Sequence, residues 1–460
     1  MMSKINQYRK FLLSLLIVIS VFLVSAGELS AITYDISELE NVPMPEFSEP
    51  KVTKGVLKNG MSYFFLEDHE LPIVRVGVIT KVGSIYDPDK KIGLASLTGK
   101  LIRTGGTKKL RSTEVDLMLD GLAANIASEI GEEMGTATLH ILSARFYDTL
   151  PVFFEMIFQP RFDETRIALG KLSIIEALKR ENDYPSQLAN RNFDELLYGK
   201  NSPWARIPTK STLKNITRED IDNFHKQYFH PNNMILIAAG DFDENKLREM
   251  AESLTKNYPN EPVIFPEVAS VEKSFKPKSL FIKKPLTQSY IGMGHLGIKR
   301  HNPDKYAIDV MNMILGGAPF KSRLMADIRT NRGLAYSISS YFSAGTVYGI
   351  FKVNVDTMAK NSNKVRELII QHIKQMVEGK DISEEEVDFS KKTILNQLIF
   401  SFDNPYKIVS RAARFHFYGY PEDYLHIYRD NIEKITVEDV KRVSKEYLHP
   451  DGLTTVVVGP

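Results

Sequence analysis

The order of hydrophobic and polar positions divides the chain into strands that follow strands and helices that follow helices. Residues 62–66 and 74–82 carry the β-branched and aromatic runs of two strands, joined through Leu71-Pro72. Apolar positions then recur every three to four residues near 93–103, 112–122, 147–158 and 164–181, the spacing of amphipathic helices. Buried strands are expected at 234–239 and 453–458, where the apolar run is continuous. Grouping of this kind argues for an α+β fold, mostly antiparallel sheet packed with helices, and against a doubly wound parallel sheet.

The pattern occurs twice. Residues 216–240 align without a gap on 435–459, at a constant offset of 219 residues, with nine of 25 positions identical. Lys226 and Lys445, Tyr228 and Tyr447, His230 and His449, and Pro231 and Pro450 are among them. Thr217 and Thr436 each precede an Asp by three residues, a capping-box-like helix start with the acid in the first turn. Each helix must end before the His-Pro pair, because proline cannot continue it. Two homologous domains of about 200 residues are therefore expected. The first covers 52–262 and the second 278–460, with a Pro- and charge-containing linker over 263–277.

Composition narrows the function. The net charge is +2, too balanced for a nucleic-acid binder, and no basic stripe with interleaved aromatics is present. The chain has no cysteine, so disulfide scaffolds, thiolate metal sites and cysteine nucleophiles are excluded. Lys4, Arg9 and Lys10 precede an apolar run over 11–24 that only two serines interrupt, and Val24-Ser25-Ala26 supplies small residues for cleavage. This is the layout of a secretory signal peptide over 1–26, followed by a mobile lead-in over 27–51. The expected location is periplasmic or extracellular. The run is short for a spanning helix, which needs about 20 apolar residues; an uncleaved anchor is the alternative.

Several segments resemble the pitrilysin and insulinase family of inverted-zinc-motif peptidases. They are Val82-Gly83-Ser84-Ile85-Tyr86-Asp87, Gly93-Leu94-Ala95, Gly105-Gly106-Thr107-Lys108 and, most specifically, Ser322-Arg323-Leu324 with Arg329-Thr330-Asn331-Arg332-Gly333-Leu334-Ala335-Tyr336. The resemblance covers nearly all of 52–460 and implies that the two domains form a clamshell-like half of a chamber. Active members carry H-x-x-E-H directly after the Gly-Leu-Ala, two zinc ligands one helical turn apart with the general base between them. Here those five positions read Ser96-Leu97-Thr98-Gly99-Lys100. By the family's spacing the third ligand falls on Ala177, and Glu176 lies one residue, about 100°, away around the helix. Serine alone is no zinc ligand, and Lys100 brings positive charge to the place of a cation. The histidines include no pair at i, i+3 or i+4, so no relocated metal site is expected in this chain.

The family's other catalytic pieces are an arginine and a tyrosine seven residues apart, and Arg329 and Tyr336 match both. Phe320, Leu324 and Ile328 form an apolar i, i+4 stripe beside which Arg329 falls, in the last turn of a helix. Gly333 suits a left-handed stop after Arg332, and a strand is expected over 334–342. Donors at such a turn can hold a peptide carbonyl and the oxyanion formed from it. The resemblance also implies a peptide-binding sheet edge at Asn125, Ile126, Ala127, Ser128 and Glu129. Ala127 and Ser128 depart from the Asn-Ala usual there. An emptied zinc site beside a complete Arg/Tyr pair resembles the non-zinc subunit of heterodimeric members. The expected partners are a homologous zinc-bearing subunit, which holds the metal, and extended peptides. A stand-alone peptide-binding or chaperone-like protein is the alternative, and a structural scaffold such as the respiratory-complex core subunits of this fold is a third reading.

Overall fold

The computed structural model describes residues 51–258 and 260–460. The signal-peptide reading and nearly all of the lead-in lie outside them. In the first half, β1 (Thr53–Val56), β2 (Ser62–Glu67) and β3 (Ile73–Lys81) lead to helices α1 (Leu94–Thr104) and α2 (Ser112–Gly121). A hairpin of β4 (Asn125–Ile130) and β5 (Met134–Leu142) follows, then α3 (Ser143–Phe158), α4 (Glu164–Glu181), α5 (Pro185–Tyr198), α6 (Lys210–Lys214) and α7 (Arg218–Tyr228). Strand β6 (Met234–Gly240) and α8 (Glu244–Thr255) complete it. The helix expected from 147 starts four residues earlier, and α1 starts at Leu94 because Gly93 holds a left-handed cap.

The second half runs β7 (Lys278–Lys283), β8 (Gln288–Leu296), β9 (Ile298–Lys299), α9 (Lys305–Asn312), β10 (Ala335–Phe342), β11 (Ala344–Gly345) and β12 (Ile350–Met358). Then come α10 (Ser362–Val377), α11 (Glu384–Ile399), α12 (Pro405–Phe417), α13 (Tyr424–Lys434), α14 (Val437–Tyr447) and β13 (Thr454–Gly459). Two π-helical turns, Met313–Gly317 and Met325–Asn331, lie between α9 and β10.

The two sheets share one topology. The first is ordered β1-β2-β6-β3-β5-β4 and the second β7-β13-β8-β12-β10 read from its other end. In each, one parallel pair (β2 with β6, β7 with β13) is followed by antiparallel neighbours. Gly240 and Gly459 end the matching strands. The repeated unit is reproduced residue for residue: α7 and α14 lie 219 residues apart, and Thr217/Asp220 and Thr436/Asp439 both form capping boxes. The fold is α+β and two-domain, as the grouping of elements requires. Residues 263–277 form no helix or strand, yet they are anchored. Phe265 packs on Tyr86 and Tyr228, and Phe275 stacks on His449 at 3.6 Å between centroids.

The halves also exchange helices. Leu188, Ala189 and Phe193 of α5 pack on Tyr290, Val456 and Val458 of the second sheet. Val409 and Ala413 of α12 pack on Phe64, Ile79, Ile235 and Ile237 of the first. Each sheet therefore has one face on its own helices and part of the other on a helix of its sibling. The α5 seam is partly polar. Lys352 on β12, 1% exposed, donates to Asn190 Oδ1 at 2.5 Å and lies over the Phe193 ring. Burial pushes Asp194 up to about 6 and Lys352 down to about 8, and their mutual attraction opposes both shifts.

Candidate functional site

Helix α1 carries the five motif positions. Thr98 is buried and turned back onto its own helix, donating to Leu94 O at 2.8 Å. Ser96 is half-buried. Lys100 reaches across to α4 and donates to Ser173 Oγ at 2.5 Å, one turn before Ala177. Ala177 and Glu176 face solvent. Glu176 is paired with Lys179 at 2.7 Å, which holds its carboxyl below the usual range. The residues at the ligand positions do not fit zinc. Among the described residues, no group of three or more His, Cys, Asp or Glu side chains is placed to hold a metal ion.

Gly99, at the general-base position, is more than an absence of a carboxylate. Its Cα faces the backbone of β4 so closely that any Cβ would overlap the Ile130 amide nitrogen and the Glu129 carbonyl carbon. β4 is the last strand of its sheet. Gly131 N–H bonds Met134 O at 2.9 Å, so by the antiparallel alternation Asn125, Ala127 and Glu129 point their backbone groups at β5. Ile126, Ser128 and Ile130 point theirs at the free edge. There Arg103 Nε donates to Ile126 O at 3.1 Å, and Ser128 Oγ donates to Gly99 O at 2.6 Å. Arg103 is fixed in turn by Asp116 at 2.7 Å. The expected peptide-binding edge thus carries α1 against it, with one of its backbone acceptors already used.

The second-half pieces are arranged differently. Arg329 stands in the Met325–Asn331 π-helical turn, a wider form than the regular helix expected there and one frequent at functional sites. Leu324 and Ile328 are fully buried, but Phe320 is 76% exposed, in the turn that precedes the helix. The expected three-residue stripe is therefore a two-residue one, because the chain is not yet helical at 320. Gly333 takes φ 60°, the left-handed stop, and Leu334 N–H closes the turn on Ile328 O at 2.9 Å. The strand begins at Ala335, one residue later than expected. The ladder to β12 skips from Ala335 to Ser337, so Tyr336 is a bulge residue, 79% exposed. Bulges re-aim side chains in this way beside active sites. Arg329 is exposed as well, its guanidinium resting on Met325 Sδ at 3.6 Å. One turn thus delivers a cation and a phenol to the same end of β10, both open to solvent.

Sequence reasoning passed over Arg103, Ser173 and the bulge. Arg103 had a signal: a charged residue directly after the apolar Leu101-Ile102 in a helix otherwise buried at those positions. The bulge had none, since it depends on pairing with a strand some twenty residues away.

A unit built twice, with two helices facing each other beside a sheet edge, defines a duplicated peptidase-type fold. The chain belongs to the M16, or insulinase, family of peptidases. Residues 63–203 match the family model described as Insulinase (Peptidase family M16), and residues 215–394 the one described as Peptidase M16 inactive domain. An "uncharacterized zinc protease" of Rickettsia felis is 25% identical over 88% of this chain and 96% of its own length. A Helicobacter pylori protein named "non-peptidase homolog YmxG" is 24% identical over 85% of this chain and 90% of its own. A crystal structure from Pseudomonas fluorescens, titled a peptidase M16 inactive domain, superposes with a TM-score of 0.80 at 25% identity, covering 89% of this chain and 98% of that one.

Proposed function

We propose that this chain is the zinc-less subunit of an exported heterodimeric peptidase, supplying Arg329 and Tyr336 to the active site of a homologous zinc-bearing partner. The observation that carries the reading is the contrast within one molecule. The metal and base positions hold Ser96, Gly99, Lys100 and Ala177, whereas Arg329 and Tyr336 are both intact and both exposed at a single turn. An exposed arginine and a tyrosine thrown out by a bulge have no packing role that would retain them. Donors fixed on a turn and strand can stabilise the oxyanion of a peptide bond under attack without reorganising. The export part of the reading rests on the signal-like N-terminus. No helix among the described residues is long and apolar enough to cross a membrane. The stand-alone peptide-binding alternative relies on the β4 edge, and the Arg103–Ile126 bond counts against it.

The test is reconstitution with the zinc-bearing homologue. Arg329→Ala or Tyr336→Phe should lower peptide turnover by the complex by about a hundredfold while leaving assembly, followed by gel filtration, intact. Wild-type turnover with both variants would remove the pair from the mechanism.

A further inference from the structure

A second recessed surface lies outside the turn just described. Helices α9, α11, α12 and α13 enclose a groove of about 850 Å³. Lys407, Arg411 and Arg414 stand on it at i, i+4 and i+7 of α12, one stripe of that helix. The opposite stripe, with Val409 and Ala413, seals the first sheet, so the cationic stripe is held in place by the helix exchange. The facing wall is aromatic: Tyr424 packs on Tyr420 with tilted rings at 4.2 Å between centroids and follows on to Tyr428 at 6.2 Å. The groove's lining holds five cations, with Arg300 and Lys305 added to these three, against one carboxylate, Asp309. Asp309 is already occupied, by Lys305 at 2.5 Å and by the Tyr428 hydroxyl at 2.8 Å. Of the other cations, Arg300 meets Glu133 at 3.3 Å, Lys407 meets Asp403 at 2.9 Å in an exposed pair, and Arg411 lies over the Phe402 ring.

We propose that this groove binds acidic, aromatic-bearing peptide segments in extended conformation. The charge layout selects the ligand. Three cations along seven residues of helix span about 10 Å, in steps of about 6 and 4.5 Å. Same-side residues of an extended chain repeat about every 6.6 Å, so alternate carboxylates meet successive cations. A single tetrahedral anion needs donors that converge on one point, and these are laid out in a row. Tyr424 is buried within the wall, which therefore presents the half-buried Tyr420 and Tyr428 to an aromatic side chain. The duplicate groove of the first half lacks this combination. Counted from the prolines that open α5 and α12, Arg191 occupies there the position of Arg411, but the positions of Lys407 and Arg414 are Gln187 and Asp194. The proposal needs neither the zinc-bearing partner nor the Arg/Tyr pair, so it can fail or hold on its own.

The experiment uses the full chain and a fluorescein-labelled peptide of alternating Glu and Tyr, read by fluorescence anisotropy. The same peptide with Lys for Glu and one with Ala for Tyr serve as comparisons. The Glu/Tyr peptide should bind best, and its affinity should fall as salt rises. The double variant Lys407→Glu, Arg414→Glu changes two exposed positions and should fold normally, which thermal melting checks, while weakening binding roughly tenfold or more. Tyr420→Leu, at a half-buried position of the wall, should weaken the Glu/Tyr peptide and leave the Glu/Ala peptide unchanged. Equal binding of the Lys peptide, an unchanged affinity in the double variant, or displacement by inorganic phosphate as effective as by the unlabelled peptide would each overturn the proposal.

Discussion

The edge strands β4 and β10 hold the same place in two copies of one sheet, and each is held by the helical segment of its own half that lies against it. In the second half Asn312 Nδ2 donates to Ser340 O at 3.3 Å, Ser340 Oγ donates to Asn312 Oδ1 at 2.8 Å, and Gly316 sits against the Ser340 backbone as Gly99 sits against Ile130. Four residues before the point of close approach the two edges diverge. In β4 that residue is Ile126, buried and held by Arg103. In β10 it is Tyr336, thrown outward by the bulge. At the metal positions of the first half the ligands are absent, and any side chain at 99 would also meet the β4 backbone. The helix packs on the strand in the space the side chain of a base would need, while the second half exposes Tyr336 at the matching place on its edge.

The strongest challenge to that contrast is to rebuild the motif. The variant Ser96→His, Gly99→Glu, Lys100→His, Ala177→Glu restores every family ligand by type. It should nevertheless be less stable by at least about 3 kcal/mol, because a glutamate at 99 meets β4 backbone and brings a charge into a buried contact. Denaturant unfolding measures this. A rebuilt chain of wild-type stability that binds one zinc would mean that α1 stands off β4 freely. Gly99→Ala isolates the steric part: in an open helix it gains about 1 kcal/mol, and here it should lose 1–3 kcal/mol.

The reasons some of this was legible in the sequence and some was not are physical. Caps, the His-Pro stops and continuous apolar strands are local signals, and they located the repeated unit to the residue. The emptied motif was equally plain, since ligand chemistry belongs to residue type. The helix exchange was hidden, because the apolar stripe of α5 or α12 fits either sheet and only long-range packing chooses. Phe320 misled because an i, i+4 spacing means little where the chain is turning. The close approach of Gly99 to Ile130 needed the distance between a helix and a strand that are about thirty residues apart.

Acid should expose whether the two halves stand or fall together. Each contains a histidine kept neutral by burial. His225 donates to Ile157 O at 2.7 Å and is pushed down to about 4. His295 donates to Leu296 O at 2.8 Å, accepts from the His449 amide, and is pushed down to about 3. Both bind a proton more readily when unfolded, so the stability they contribute is complete above about pH 6.5 and is lost as pH falls toward 4 and 3. For His225 the loss is on the order of 3 kcal/mol. Because the halves share helices, tryptophan fluorescence from Trp204 in the first half and far-ultraviolet circular dichroism of the whole should report one acid transition. Two separated transitions would show that the exchanged helices do not couple the halves.

The smallest effects discriminate most finely between the two edges. Arg103→Met keeps the apolar stem but removes the donor to Ile126 O and the pair with Asp116, both partly shielded from solvent. A hydrogen bond from a charged group typically contributes about 1.5–3 kcal/mol, and the half-exposed Asp116 reduces the share of the ion pair, so a loss of about 1–2 kcal/mol is expected. Tyr336→Phe should change stability by less than about 0.5 kcal/mol, since the side chain is 79% exposed and lies outside the ladder. The same holds for Arg329→Ala, whose exposed guanidinium, among the described residues, makes a weak contact with Met325 Sδ. Urea midpoints of the three variants, measured on the chain alone, provide the comparison. If Tyr336→Phe destabilised the fold as much as Arg103→Met, its phenol would be structural, and a rate loss in the reconstituted complex could no longer be assigned to the transition state. If it leaves the midpoint where it was, a hundredfold loss of turnover has no route except through the reaction itself.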